Sequence, residues 1–237
     1  MSVVIETELL IASELGNYFN AENHLKPFVG WPNDDLNYLI YDLGATASVY
    51  EYNLPGDPVS HVLETYAFYQ EEIDYINTTI TTLDSQIELD FTQTNDFASA
   101  HIVFCLTKSY TGFSSNNVVG KTVLSGSTTN QAEYINVLWK DTPTYGYTFQ
   151  SGLDAYDKGT ITHELGHALG LSHPNNWAED PRYNVDSTIM SYNEGAEGWG
   201  YEFTSNDILA LQRIWGKEGA PTITGPSGNA GDATSSK

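Results

Sequence analysis

Residues 159–174 read Gly-Thr-Ile-Thr-His-Glu-Leu-Gly-His-Ala-Leu-Gly-Leu-Ser-His-Pro, and they contain the pattern H-E-x-x-H-x-x-G-x-x-H. The first two histidines are His163 and His167. Because residues four apart lie on one face of a helix, both imidazoles can point at the same metal ion. Glu164 lies about 100° farther around the helix, so it is displaced from the ligand positions but can reach a water molecule at that ion. The pattern predicts a zinc-binding helix over residues 159–171.

The third histidine, His173, requires this helix to end. A straight helix would carry it about 9 Å beyond His167, at about 1.5 Å per residue. Gly170 stands where the chain must turn, and glycine accepts the positive φ that ends many helices. Pro174 then prevents the helix from resuming. Three neutral imidazoles would leave zinc one open position, which is typical of a catalytic site. The alternative, that the histidines are chance helix residues, is disfavoured by this spacing of Gly170 and His173.

The composition limits the classes of partner. The chain has 237 residues, enough for one domain or for two lobes around a cleft. Its 31 acidic and 9 basic residues give a formal net charge of −22, which repels nucleic acid and anionic membranes, so we expect neither as a partner. No run of 18 apolar residues predicts a membrane span. Asp and Asn oxygens could bind calcium, but no D-x-[DN]-x-[DN]-G loop is present to place a site.

The two termini and the single cysteine carry simpler expectations. Residues 1–15 lack a basic start and a long apolar core, so they do not predict a standard export signal. Residues 219–237 are rich in Gly, Pro, Ser, Thr and Ala and are expected to form a flexible tail, with further domains to follow in the natural protein. One domain is expected over residues 1–218. Cys105 lies in the apolar run 102–106, which predicts a buried, unreactive thiol.

Hydrophobic patterns predict both strands and helices. Apolar residues spaced three and four apart predict a long amphipathic helix over residues 59–83. Residues 174–203 are expected to be rich in loops, and a closing helix is expected over residues 206–215, with Thr204 or Ser205 as its N-cap. The expected strands are residues 36–43, 87–91, 100–107, 118–124 and 134–139.

Two of these strands have more specific expectations. Residues 100–107 form a near-continuous apolar run, which is typical of a central strand. Residues 134–139 could lie inside the sheet, or at an edge that pairs with an extended peptide by strand addition. Their position shortly before the zinc-binding helix favours the edge.

Downstream of the third histidine, residues 187–192 read Ser-Thr-Ile-Met-Ser-Tyr. Met190 in a tight turn can pack its thioether beneath a metal site without binding the ion. Together, the zinc pattern and this turn resemble the metzincin family of zinc endopeptidases. Pro174 and the run Met-Ser-Tyr most resemble the serralysin branch, of the bacterial alkaline-protease type. The closing segment 207–216 is also similar to that branch, and the strand at 100–104 is similar more weakly, so the resemblance spans residues 35–217.

This resemblance implies a fold, a ligand set and a base. The fold would be α+β and two-lobed, with a twisted mixed sheet and long helices in an upper lobe and a small irregular lower lobe. Zinc would lie in the cleft between the lobes. His163, His167 and His173 match the family's zinc ligands, and Glu164 matches its catalytic base. Tyr192 matches a tyrosine that binds or approaches the zinc and moves aside for substrate.

The function that these residues indicate is a zinc-dependent endopeptidase acting on extended polypeptides, over a catalytic domain of residues 1–218. Zinc would activate a water molecule, Glu164 would move its proton to the leaving nitrogen, and Tyr192 would help to stabilise the oxyanion. We expect a secreted monomer, exported without a standard signal peptide. The glycine-rich calcium repeats of typical serralysins are absent from the sequence, which leaves calcium dependence and the export route open.

Two other functions fit part of the sequence. One is a catalytically silent binding or adhesion module of a larger surface or secreted protein, which the acidity and the tail would suit. The intact Glu164 argues against it, because a silent module does not need that residue. The other is a zinc hydrolase whose substrate is not a peptide. The expected edge strand, which would pair with an extended peptide, argues only mildly against this function.

Overall fold

A computed structural model describes residues 4–11, 35–41, 46–51, 59–126, 132–140 and 153–219. The described residues form a mixed seven-stranded sheet with three α-helices. The helices are α1 (Gln70–Asp84), α2 (Ala155–Ala168) and α3 (Ser205–Trp215). The strands are β1 (Asp35–Ile40), β2 (Thr46–Glu51), β3 (Val59–Thr65), β4 (Asp90–Gln93), β5 (Ile102–Tyr110), β6 (Gly120–Gly126) and β7 (Ala132–Trp139). None of the described helices has the length and apolar character that crossing a membrane requires.

The strand order is β3-β2-β6-β7-β5-β1-β4. Strand β5 runs parallel to both β1 and β7, whereas β6 is antiparallel to β7 and β2 is antiparallel to β3. Strand β3 also pairs with the C-terminal end of β5. The pairings among β2, β3, β5, β6 and β7 therefore form a closed ring. The prediction that residues 134–139 form a sheet edge is therefore wrong. They belong to β7, whose two sides are occupied by β5 and β6.

The central strand β5 separates two hydrophobic cores. Its alternate side chains Ile102, Phe104 and Leu106 are buried in the core that also contains the helices. Val103 and Cys105 point the opposite way, into a second core on the other face of the sheet. This burial on both faces explains the continuous apolar run, and it confirms the predicted central strand.

The predicted helix over residues 59–83 is only partly correct. Residues 59–65 form β3, because β2 and β5 supply backbone partners on both sides of it, and β-branched residues such as Val59 and Val62 suit a paired strand. Helix α1 begins at Gln70, where the N–H of Tyr69 donates to Glu72 Oε2 at 2.7 Å. The next predicted strand, 87–91, is also displaced, since β4 begins at Asp90.

The segments after α2 agree with expectation. Between α2 and α3 the described residues contain neither a strand nor an α-helix, and their one regular element is a short 3₁₀ helix at Pro174–Asn176. Thr204 is the N-cap of α3, and its hydroxyl oxygen accepts from the N–H of Asp207. Ala210 and Leu211 then place α3 in the main core. Of the predicted tail, only Gly219 lies within the described residues.

Candidate metal centre

Helix α2 positions the first two histidines of the motif. It begins at Ala155, earlier than predicted, because Asp154 Oδ1 accepts hydrogen bonds from the N–H groups of Tyr156 (2.8 Å) and Asp157 (2.9 Å). The helix ends at Ala168 and Gly170 has φ +99°, which confirms the predicted turn. This turn allows the chain to fold back towards the helix.

The turn brings the three histidines of the motif together. One ring nitrogen from each of His163, His167 and His173 lies within 4.8 Å of the others. The Nε2 atoms of His167 and His173 are 3.3 Å apart, and two nitrogens bound tetrahedrally to one zinc ion at about 2.0–2.1 Å would be about 3.4 Å apart. His163 Nε2 is buried and has no hydrogen-bond partner among the described residues. These three side chains could hold a metal ion, and no other trio of histidine, cysteine or carboxylate groups in the described ranges comes as close together.

Backbone carbonyls orient two of these rings. His163 Nδ1 lies 2.9 Å from the carbonyl oxygen of Ile189, and His167 Nδ1 lies 2.9 Å from that of Leu171. A carbonyl can only accept, so each Nδ1 carries the hydrogen and each Nε2 keeps its lone pair for a ligand bond. Burial lowers the pKa of all three histidines, to about 4 for His173. The imidazoles are therefore neutral at pH 7, which is the form that binds metals.

Glu164 is buried beside this group, with 5% of its surface exposed. Its Oε2 accepts a hydrogen bond of 2.9 Å from the hydroxyl of Thr122 on β6. Burial raises the pKa of the Glu164 carboxyl to about 7, against the opposing effects of the Thr122 hydrogen bonds and the positive charge of Lys121. A carboxyl group with a pKa near the working pH can both accept and donate a proton.

The structure also brings Tyr192 to the histidines. Its ring centroid lies 5.2 Å from that of His163 and 5.0 Å from that of His173. About half of the side chain, 51%, remains exposed. Partial burial, together with the negative charge of Glu164, raises the pKa of the phenol to about 12. The hydroxyl is therefore protonated at neutral pH and is able to donate a hydrogen bond.

The turn that carries Met190 is tied to helix α3. The side chain of Met190 is completely buried. The N–H of Ile189 donates to Asp207 Oδ2 at 3.0 Å, and the hydroxyl of Thr188 donates to Asp207 Oδ1. The same carboxylate accepts from the N–H of Thr204 at 2.8 Å. Sequence reasoning did not assign Asp207 this role, although a threonine followed three residues later by an acidic residue is a capping-box signal.

A cavity of about 470 Å³ opens beside Glu164 and His163. Its walls combine apolar and aromatic side chains with polar and charged ones such as Asn117 and Glu179. They include Tyr156 and Trp199, whose rings pack edge to face at 5.2 Å. A concave site that combines apolar walls with convergent polar groups is typical of ligand binding. The sequence patterns did not single out the two wall aromatics, because neither belongs to the zinc motif and they come together only in the fold.

Comparisons with known proteins agree with the motif. The chain is 25% identical to a serralysin of Photorhabdus sp. (strain Az29) over 184 residues, which are 68% of this chain and 36% of that protein. It is 39% identical to serralysin A of Dickeya chrysanthemi over 74 residues (26% of this chain, 16% of that protein). It is 42% identical to serralysin C of the same organism over 94 residues (32% and 19%). The chain has serralysin homologues.

These matches are partial. The chain spans about a third of the length of the Photorhabdus relative and less of the two Dickeya relatives. No protein-family model matches it. A solved structure of myroilysin aligns with a TM-score of 0.41 and 12% identity over 81% of this chain and 97% of that chain, a likeness too small to support an argument about the fold. The partial matches support a serralysin-like relationship.

Proposed function

We propose that residues 1–218 form the catalytic domain of a zinc-dependent, serralysin-like endopeptidase that hydrolyses peptide bonds of extended polypeptides. The proposal rests on the position of three histidine nitrogens, which all lie within 4.8 Å of one another. Glu164 lines the same cavity as His163, one of these three residues. Serralysin homologues support it at modest identity.

The proposed metal ligands are His163, His167 and His173. The carbonyl oxygens of Ile189 and Leu171 hold two of the rings with Nε2 directed away from the backbone contact, and the distance between the Nε2 atoms of His167 and His173 suits a tetrahedral ion. Zinc, when bound, would supply a Lewis acid that lowers the pKa of a water molecule towards neutrality and polarises a carbonyl group.

Glu164 would act as the general base and then as the general acid. Its carboxylate accepts a proton from water as the water oxygen bonds to the peptide carbonyl carbon, and it returns that proton to the nitrogen as the C–N bond breaks. Burial raises the pKa of Glu164 to about 7 in the metal-free site, and the charge of a bound cation would lower it, which keeps the carboxylate ionised to accept the proton. The buried position beside the cavity limits exchange of that proton with bulk water.

Tyr192 would stabilise the negative charge that develops on the carbonyl oxygen. Its ring lies against the rings of His163 and His173, and its phenol is protonated at neutral pH. A hydrogen-bond donor that is in place before the reaction stabilises the oxyanion of acyl transfer. Its exposed half leaves room for the ring to move when a substrate enters.

The remaining properties follow from the same proposal. The sheet with α1 and α2 would form the upper lobe, and the loop-rich residues 174–203 would form most of the lower lobe around the cleft. The protein would be a secreted monomer whose partner is its polypeptide substrate. The apolar and aromatic part of the cavity wall would accommodate a side chain of that substrate.

Zinc content and cleavage of denatured casein test this proposal together. We expect about one zinc ion per chain, cleavage that a chelator abolishes, and recovery when zinc is restored. Stoichiometric zinc without cleavage of any polypeptide would support the silent binding module instead. Cleavage that persists after complete removal of the metal would overturn the zinc mechanism.

A further inference from the structure

Thr122, on strand β6, touches the proposed general base. Its hydroxyl oxygen lies 2.9 Å from Glu164 Oε2 and 2.7 Å from the backbone carbonyl oxygen of Glu164. A hydroxyl has one hydrogen, so it donates to one of these oxygens or is shared between them. It joins the carboxylate of Glu164 to the backbone of its helix when the hydrogen is shared, or when the hydroxyl donates to the carbonyl oxygen and accepts from the protonated carboxyl group.

A second residue of β6 shapes the same contact. Gly120 lies two positions before Thr122 and therefore on the same face of the strand. A Cβ atom at Gly120 would lie 2.6 Å from Glu164 Oε1 and 2.8 Å from its Cγ. The side chain of Glu164 thus rests against bare backbone, between this glycine and the hydroxyl of Thr122.

The two carboxylate oxygens of Glu164 are not equivalent in this arrangement. Oε2 accepts from the hydroxyl of Thr122, the backbone of Thr122 also hydrogen-bonds to the carboxylate, and Oε1 is the oxygen nearest to Gly120. The side chain is buried and also lines the cavity. Removing the hydroxyl would take away the side-chain donor to Oε2 and leave the backbone contact of Thr122 alone, so the carboxylate would lose a contact that limits its rotation.

We propose that Thr122 is a positioning residue for hydrolysis: it holds Oε2 of Glu164 against β6 and so presents Oε1 to the water and to the leaving nitrogen. This inference rests on the proposed function of Glu164. Thr122 lies 42 residues before Glu164 and outside the zinc pattern, so the fold alone brings it to the site.

The kinetic test compares Thr122→Val, which keeps the shape and removes the hydroxyl, with Thr122→Ser, which keeps the hydroxyl. Since small misplacements of a reacting group cost up to about a hundredfold, we expect Thr122→Val to lower kcat by about 10–100-fold and to leave KM within about twofold. Zinc content should not change, and Thr122→Ser should stay within about threefold of the wild type, because it keeps the donor.

A matched control and a second perturbation complete the kinetic set. Thr107 is a buried threonine on β5 whose hydroxyl donates to the carbonyl oxygen of Cys105, and Thr107→Val should leave kcat unchanged. Gly120→Ala should lower kcat while keeping the Thr122 hydroxyl, because the new methyl group displaces Oε1. Unchanged kcat in Thr122→Val, or equal losses in Thr122→Val and Thr122→Ser, would overturn the inference.

Crystal structures of the zinc-loaded wild type and Thr122→Val give a readout that does not depend on activity. We expect the Glu164 carboxylate to leave its place on β6 in the variant, with the histidines unmoved. A carboxylate that stays in place would overturn the positioning role. A wild type with zinc but without peptidase activity would defeat the proposed function, while the two structures would still decide whether Thr122 holds the carboxylate.

Discussion

The sulfur of Met190 lies directly against Gly166 of helix α2: a Cβ atom at Gly166 would come within 2.7 Å of Met190 Sδ. Gly166 lies between His163 and His167, so the thioether supports the part of the helix that carries two proposed ligands. Met190 is completely buried, and the sulfur therefore has little space to move away. The absence of a side chain at Gly166 allows the turn and the helix to approach this closely.

Substituting Gly166 by alanine tests this contact. Overpacking costs about 1–3 kcal/mol and the better helix propensity of alanine returns about 1 kcal/mol, so we expect a net loss of up to about 2 kcal/mol in the free energy of unfolding. Urea denaturation measures this loss. The Met190→Ala substitution removes the thioether and so makes room for the new methyl group. In that background, Gly166→Ala should change the free energy of unfolding only slightly. Equal costs in the two backgrounds would show that the sulfur is not responsible.

Replacement of Glu164 by glutamine should remove most of the turnover and keep the metal. Glutamine is similar in size but cannot accept the proton, and general acid–base assistance is worth about 10²–10⁴-fold. Turnover of a peptide substrate and zinc content are the measurements. Glu71→Gln, at an exposed position of α1, is the control and should retain full activity. Glu164 would not be the base if its zinc-loaded variant kept more than a few per cent of wild-type turnover.

His173→Ala should weaken zinc binding and leave the fold intact. The helix that carries the other two histidines is packed by Ile161, Leu165 and Ala168, all buried, and that packing does not need a metal. Loss of a residue that only hydrogen-bonds to a metal ligand already lowers metal affinity about 10–100-fold. We therefore expect a larger loss of zinc affinity when a ligand itself is removed. Zinc titration followed by competition with a chelator measures it, and circular dichroism reports the fold. His61→Ala, on β3, is the control, and unchanged affinity in His173→Ala would exclude His173 as a ligand.

Tyr192→Phe should lower turnover while zinc content, substrate affinity and stability stay near wild type. Loss of one oxyanion donor costs about 2.7–4 kcal/mol, or about 10²–10³-fold in kcat. Phenylalanine keeps the ring that packs against His163 and His173. Steady-state kinetics on a peptide substrate gives the answer, with Tyr69→Phe, another exposed tyrosine, as the control. Turnover within a factor of two or three of wild type would leave Tyr192 with a packing role alone.

Cys105 should be inert in the folded protein. It is 1% exposed, and burial raises the pKa of its thiol to about 12, whereas the reactive species is the thiolate. We expect no reaction with a disulfide reagent at pH 8 and one thiol per chain after denaturation. Ser114→Cys, at an exposed position, provides a reactive control in the folded state. Rapid modification of the native wild-type thiol would contradict the buried assignment.

Several features were accessible from the sequence because they depend on residues close together in the chain. The spacing of His163 and His167 places both on one helix face, and Gly170 predicts the turn that the structure has. The apolar run around Cys105 predicts a strand buried on both faces, which β5 confirms. In each case the local periodicity or the allowed φ value limits the chain to one arrangement.

The rest required the tertiary structure. Residues 59–65 satisfy a helical spacing, but backbone partners on β2 and β5 make them a strand, and β7 lies inside the sheet because β6 pairs along it. Three contacts at the site join residues that are 18–42 positions apart in the chain. They are the contacts of Thr122 with Glu164, of Asp207 with the Met190 turn, and of Met190 with Gly166. Strand pairing and these contacts depend on the register between distant segments, which the spacing of residues within one segment does not specify.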